Sequence, residues 1–176
     1  MTSTNKLSGW RFPKAFWVAN LVELLERAAY YGFFIAVTLY LTDVVGYTDI
    51  QSGWIAGVFA AGLYFLPTFS GALADKIGFR AAIILAFTLL TIGYFSLGIL
   101  PYKSTVIPAL LIIMIGGSFI KSVISGTVAK ESNAHNRARA YSIFYWMVNI
   151  GAFSGKMFAY PIRIDLGVVY IQYYSA

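Results

Sequence analysis

A long apolar run from residue 15 to residue 41 carries three ionisable side chains near its middle, Glu23, Glu26 and Arg27. A transmembrane helix needs about 20 mainly apolar residues to cross about 30 Å of hydrocarbon. At about 1.5 Å per residue, Arg27 lies about 18 Å into the run. Charges at that depth are costly unless they face a partner or a wet cavity. The run therefore predicts a helix that borders a polar pathway through a membrane.

Helical spacing places these charges on one face together with two tyrosines. Residues three or four apart share a helix face, so the predicted polar stripe consists of Glu23, Glu26, Arg27, Tyr30 and Tyr31. The functional interpretation is a ligand or ion pathway bounded by this helix. A structural alternative stays open, because Glu23 and Arg27 are four residues apart and can neutralise each other as a packing bridge.

The composition indicates an integral membrane protein. Of the 176 residues, 59% are hydrophobic and only 11% are charged, whereas soluble domains have about 25% charged residues. The chain has no cysteine, which excludes disulfides and thiolate metal sites. Its net charge of +6 raises the possibility of nucleic-acid binding. The basic residues lie at the ends of apolar runs, however, so we expect no nucleic-acid partner and a role in membrane orientation instead.

The apolar runs predict an all-α membrane protein with five transmembrane helices and the start of a sixth at residues 168–176. The predicted helices cover about 15–41, 53–74, 81–100, 106–129 and 141–160. In the second, Gly53, Gly57 and Ala61 predict a close approach by a neighbouring helix.

Lysine and arginine are concentrated in three connections: the leader, the 75–80 turn and the 130–139 loop. Basic connections face the cytoplasm, so we predict a multi-pass protein of the cell membrane with a cytoplasmic N-terminus. The basic residues of the leader are Lys6, Arg11 and Lys14.

A short motif at residues 71–80 joins the second and third predicted helices. It reads Gly-Ala-Leu-Ala-Asp-Lys-Ile-Gly-Phe-Arg, with Gly71, Asp75, Gly78 and Arg80 at its fixed positions. Taken alone, it is also compatible with an ordinary charged turn. The complete pattern at this place resembles the signature of the major facilitator superfamily. That resemblance implies the N-terminal helix bundle of a transporter, with these four residues in conformational switching.

The opening stretch narrows the resemblance. Residues 23–32, with Glu, Glu, Arg, Tyr, Tyr and Gly at their motif positions, are similar to the signature of the proton-coupled oligopeptide transporters. Residues 116–121, which end in Lys121, and residues 144–151, which contain Asn149, resemble two further segments of that family. The chain departs from the family at Ala28, Ser122, Phe34 and Val148, where the family usually has Phe, Pro, often a gating Arg, and Ile.

The resemblance implies a proton-coupled symporter that imports short peptides or similar small solutes by alternating access. It implies proton coupling by Glu23 and Glu26, and binding of the substrate carboxylate by Arg27 and Lys121. Further substrate-binding residues that it implies are Tyr30, Tyr31, Tyr64 and Asn149. The expected partners are the substrate, protons and the lipid bilayer. We expect no metal and no cofactor beyond the proton gradient.

Three alternatives remain open from the sequence. Lys121 can snorkel to the inner surface instead of pairing with Glu23 or Glu26 across a cavity. The chain can belong to a carrier of a non-peptide solute, or to a non-transporting structural or channel-like subunit. An enzyme is not expected, because the chain has one histidine and no cysteine.

Alternating-access carriers of this type enclose their site between two halves, so we expect residues 1–176 to be an N-terminal bundle lacking its C-terminal half.

Overall fold

The computed structural model describes residues 12–176, which form a bundle of helices. Lys6 and Arg11 of the predicted basic leader lie outside the described residues. In chain order the elements are α1 (Lys14–Phe34), α2 (Val37–Leu39), a π-helical turn (Tyr40–Val44), α3 (Asp49–Phe65), α4 (Pro67–Ile77), α5 (Phe79–Ile99), α6 (Lys103–Lys130), α7 (Arg137–Asp165) and α8 (Tyr170–Ser175).

The first two predicted helices are each bent into a pair. The bend between α3 and α4 is 46° and falls at Pro67. Proline lacks an amide hydrogen and its ring crowds the carbonyl four residues earlier, so a helix bends there. The bend after α1 is also 46° and contains no proline. There, the Ala36 amide donates to the carbonyl of Phe33 at 3.0 Å, a tighter turn than the α-helical one.

Two of the predicted helices have different bounds in the structure. The second predicted helix, over 53–74, begins at Asp49, because Thr48 and Gln51 form a capping box. The Gln51 amide lies 3.3 Å from Thr48 Oγ1, and the Thr48 amide donates to Gln51 Oε1 at 3.1 Å. The fifth predicted helix, over 141–160, runs from Arg137 to Asp165 and continues through Pro161.

Length and composition identify the elements that can cross a membrane. Among residues 12–176, α5 and α6 qualify as single helices, and each bent pair qualifies as one span. The remaining long helix, α7, has 29 residues and therefore the length to cross. Its sequence is more polar, since it includes Arg137, Arg139, Lys156, Arg163 and Asp165.

Glycines bring α1 and α7 into backbone contact. A Cβ atom built at Gly151 would lie 2.5 Å from the carbonyl oxygen of Leu24, and one built at Gly155 would overlap the carbonyl oxygen of Ala28. Glycines four residues apart form such a strip on one helix face. The strip predicted at Gly53 and Gly57 is not used in this way, because within the described chain no atom lies within 4 Å of a Cβ at either residue.

The apolar core lies mainly between α1, α3, α5 and α6. Its largest fully buried side chains include Phe33, Tyr94, Leu97 and Ile120. The Tyr40 hydroxyl donates to the Leu97 carbonyl at 2.5 Å and so ties the π-helical turn to α5. This core supports the α1 face that carries the charged stripe.

We predict that Gly155→Ala destabilises the bundle, because the new methyl group overlaps the backbone of α1. Overpacking of this kind costs about 1–3 kcal/mol. Gly126→Ala is the matched control, because nothing lies within 4 Å of its Cβ and alanine favours a helix by up to about 1 kcal/mol. Thermal unfolding in detergent measures both variants. Equal melting temperatures for the two would contradict the backbone contact.

Candidate functional site

Arg27 lies between the two carboxylates of the charged stripe. Its Nε atom is 3.3 Å from Glu23 Oε1, and its Nη2 atom is 2.5 Å from Glu26 Oε2. Glu23 and Glu26 are only 3% and 6% exposed. A guanidinium group has five N–H donors in one plane, so it can hold two carboxylates at once. One partly buried cation therefore pairs with two buried anions.

Helix α6 packs beside this group at Gly117. A Cβ atom at Gly117 would lie 2.9 Å from the Leu63 side chain and 3.9 Å from Glu26 Oε1. A larger residue there would displace the Leu63 side chain of α3, next to the carboxylate. The Gly-Gly segment before Lys121 thus has a packing role next to the charged group.

Lys121 shares a small cavity with Arg27. The cavity has a volume of about 10 Å³ and is lined by Arg27, Tyr30, Leu63, Tyr64, Gly117 and Lys121. The Lys121 amino group lies 3.9 Å from the centre of the Tyr64 ring. Among residues 12–176, the salt bridges of this site are made by Arg27, not by Lys121. Lys121 is thus near both carboxylates but rests on an aromatic face.

Tyr30 and Tyr31 extend the site along α1. The Arg27 guanidinium carbon lies 5.2 Å from the centre of the Tyr30 ring. Tyr30 also stacks on Phe34, with ring centres 5.4 Å apart. Phe34, one of the departures from the family pattern, therefore continues an aromatic row. Tyr31 faces α7, where the Lys156 amino group lies 5.1 Å from its ring centre.

Two buried oxygen atoms on α1 have no hydrogen-bond partner among the described residues. They are Glu23 Oε2 and Asn20 Oδ1. The Asn20 amide nitrogen donates to the Phe16 carbonyl at 2.8 Å, which fixes the side chain. The two residues are three apart and so lie on one face, with Asn20 one turn before Glu23. Sequence reasoning missed Asn20, although its spacing from Glu23 was a usable signal.

Asn149 is not brought into the cavity that Arg27 lines. It is exposed on α7, and its amide nitrogen donates to the Tyr145 carbonyl at 2.7 Å. Gly151, two residues later, is the residue that contacts α1. Of the predicted substrate-binding residues, Arg27, Tyr30, Tyr64 and Lys121 share one cavity, Tyr31 lies beside it, and Asn149 lies apart.

The motif at residues 71–80 forms the tight connection between α4 and α5. Gly78 ends one helix and begins the next with a φ angle of 87°, a conformation that favours glycine. A Cβ at Gly71 would lie 3.5 Å from the side chain of Ser122, so α4 passes close to α6. Asp75 and Arg80 are both exposed.

Ser122 fastens α6 to the bend in the second span. Its hydroxyl lies 2.7 Å from the Pro67 carbonyl oxygen and 3.2 Å from the Ser70 hydroxyl. The Pro67 and Ser70 groups belong to the first turn of α4. A proline at position 122, as in the family pattern, has no hydroxyl to make these contacts. The link lies next to Lys121 in sequence and next to Gly71 in space.

Comparisons with known proteins bear on the family and the fold. The family model of the Major Facilitator Superfamily matches residues 19–161. Dipeptide and tripeptide permease B of Xenorhabdus bovienii (strain SS-2004) is 29% identical over 156 residues, which are 86% of this chain and 32% of the relative. Dipeptide and tripeptide permease A of Escherichia coli (strain K12) is also 29% identical, over 86% of this chain and 31% of its own length.

Solved structures share the fold. A peptide transporter POT in complex with sulfate matches with a TM-score of 0.84 and 22% identity, covering 93% of this chain and 35% of that chain. A POT family transporter in complex with 5-aminolevulinic acid matches with a TM-score of 0.79 and 25% identity, covering 93% of this chain and 34% of its own.

These matches are permeases and transporters, not enzymes, and this chain spans about a third of their length. The chain forms a multi-pass helical membrane bundle like the N-terminal part of such transporters, and it belongs to the Major Facilitator Superfamily.

Proposed function

We propose that this chain forms one half of a proton-coupled symporter that imports short peptides or similar small carboxylate-bearing solutes by alternating access. The observation that carries the proposal is the sharing of Arg27 between Glu23 and Glu26 beside Lys121. In this proposal the N-terminus faces the cytoplasm. In this proposal the other wall of the site comes from a second half of the transporter. That half corresponds to the part of the longer relatives that this chain does not match.

The shared guanidinium gives the coupling its physical basis. When a proton neutralises one carboxylate, that carboxylate loses most of its attraction for Arg27. The freed N–H donors can then bind a substrate carboxylate, and arginine can do so through two parallel hydrogen bonds. Release of the proton restores the internal pair and displaces the substrate. The internal carboxylates and the substrate carboxylate thus compete for one cation, and protonation shifts that competition toward the substrate.

Lys121 supplies a second positive charge for the same carboxylate. It lines the cavity with Arg27, and its contact with Tyr64 is with the ring face, which leaves N–H groups free to donate. The similarity to peptide permeases supports a peptide substrate. The cations themselves would also accept another small solute with a carboxylate, so the substrate assay must include one.

We predict that Glu23→Gln and Glu26→Gln each abolish proton-driven uptake of peptide but spare substrate counterflow. The neutral amide resembles the protonated acid and cannot titrate. Uptake into proteoliposomes with and without a pH gradient measures the effect, and Asp49→Asn, an exposed carboxylate at the start of α3, is the matched control. Undiminished accumulation by both variants would show that the ion group is only a packing bridge.

Asp75→Asn is expected to slow transport while leaving substrate affinity nearly unchanged. Asp75 lies in the exposed α4–α5 connection, beside a cavity of about 390 Å³ that does not include Arg27 or Lys121. Its proposed role, with Gly71, Gly78 and Arg80, is in conformational switching. Initial uptake rates and competition binding separate the two quantities, and a large loss of affinity at normal turnover would refute the role.

Lys121→Ala is expected to weaken binding of free peptides far more than binding of peptides with an amidated C-terminus. Loss of a hydrogen bond to a charged group costs about 1.5–3 kcal/mol, or roughly ten- to a hundredfold in affinity. Amidated peptides lack the carboxylate and lose little. Binding of both peptides to both proteins provides four combinations for comparison. Equal losses for the two peptides would mean that Lys121 does not contact the substrate carboxylate.

A further inference from the structure

A second lysine lies close to the signature face of α1. The Lys156 amino group is 5.1 Å from the centre of the Tyr31 ring. Tyr31 is four residues after Arg27, or about 6 Å further along the helix axis. Lys156 on α7 therefore places a positive charge about one turn beyond the shared guanidinium.

Backbone contact fixes the position of Lys156. The preceding residue, Gly155, is packed against the carbonyl of Ala28, and Gly151 against the carbonyl of Leu24. Helices that meet backbone to backbone at two successive turns cannot slide past each other without a clash. The lysine is thus held beside Tyr31 by packing, rather than by the tyrosine contact alone, which is worth little at an exposed site.

The charges at this end of the site are not balanced. The two carboxylates, Glu23 and Glu26, are both engaged by Arg27. Lys121 and Lys156 each lie over a tyrosine ring, and in the described part of the chain neither has a carboxylate oxygen within 4.0 Å. Of the three cations Arg27, Lys121 and Lys156, Arg27 alone is paired with carboxylates among the described residues. An ammonium group over a ring keeps N–H donors on its other side, and Lys156 is exposed there.

We propose that Lys156 is a specificity-determining residue that binds a second substrate carboxylate, the acidic side chain of an aspartyl or glutamyl peptide. The inference rests on the proposed peptide transport. Successive residues of an extended peptide are about 3.3–3.6 Å apart. A peptide whose terminal carboxylate lies at Arg27 can therefore reach the Tyr31 level with an acidic side chain.

The test measures competition binding and uptake by the full-length protein in proteoliposomes. The probes are alanyl-alanine, alanyl-glutamate and alanyl-lysine. Lys156→Gln should weaken alanyl-glutamate about three- to tenfold, as expected for a partly exposed charge pair. It should leave alanyl-alanine unchanged and should not weaken alanyl-lysine. Lys156→Arg should restore the preference for the acidic peptide.

Lys103→Gln is the matched control. The Lys103 amino group also lies 5.1 Å from a tyrosine ring centre, that of Tyr47, but it stands at the start of α6 and away from Arg27. This variant should bind all three peptides normally. The normal alanyl-alanine value in Lys156→Gln also reports that the variant is folded.

Two results would overturn this inference and leave the proposed peptide transport intact. One is an equal change for all three peptides, which would assign Lys156 to lipid headgroups or packing. The other is unaltered binding of alanyl-glutamate by Lys156→Gln. If the unmodified protein bound none of the three peptides, the proposed peptide transport would fall first and this inference with it.

Discussion

The sharing of one guanidinium by two buried carboxylates is the interaction on which the site depends. Arg27 offsets the cost of burying Glu23 and Glu26 inside an apolar bundle, because an isolated buried charge is very unfavourable. The group leaves one net negative charge, and Lys121 is positioned on Tyr64 nearby. The arrangement holds charges close together but unevenly paired, which suits the exchange of partners in the proposed coupling.

Small residues make this arrangement possible. Gly151 and Gly155 let α7 reach the backbone of α1 beside Arg27, and Gly117 leaves room for the Leu63 side chain between α6 and α3. In a membrane there is little hydrophobic drive between helices, so close van der Waals contact has a larger share in association. The same glycines that pack the bundle therefore also set the distances between its charged side chains.

Local patterns predicted the fold and the charged stripe, because both depend on spacing within one helix. Residues four apart meet in any helix, so the contact of Arg27 with Glu23 follows from the sequence. The contact of Arg27 with Glu26 joins adjacent residues and depends on the side-chain conformations. The position of Lys156 could not be predicted in this way, because it depends on how far α7 is shifted along α1. The exposed position of Asn149 depends on the same shift and on the rotation of α7.

The α1–α7 contact has a consequence for motion. Two helices whose backbones touch at Gly151 and Gly155 have few ways to shear or roll against each other. We expect α1 and α7 to move as one rigid unit during any rearrangement of the bundle. Movement of the other helices relative to this pair would then occur at the Leu66–Pro67 bend. There the hydrogen bond from the Ser122 hydroxyl to the Pro67 carbonyl can break and reform at small cost in free energy. The element that carries the charges would keep its shape while its surroundings move.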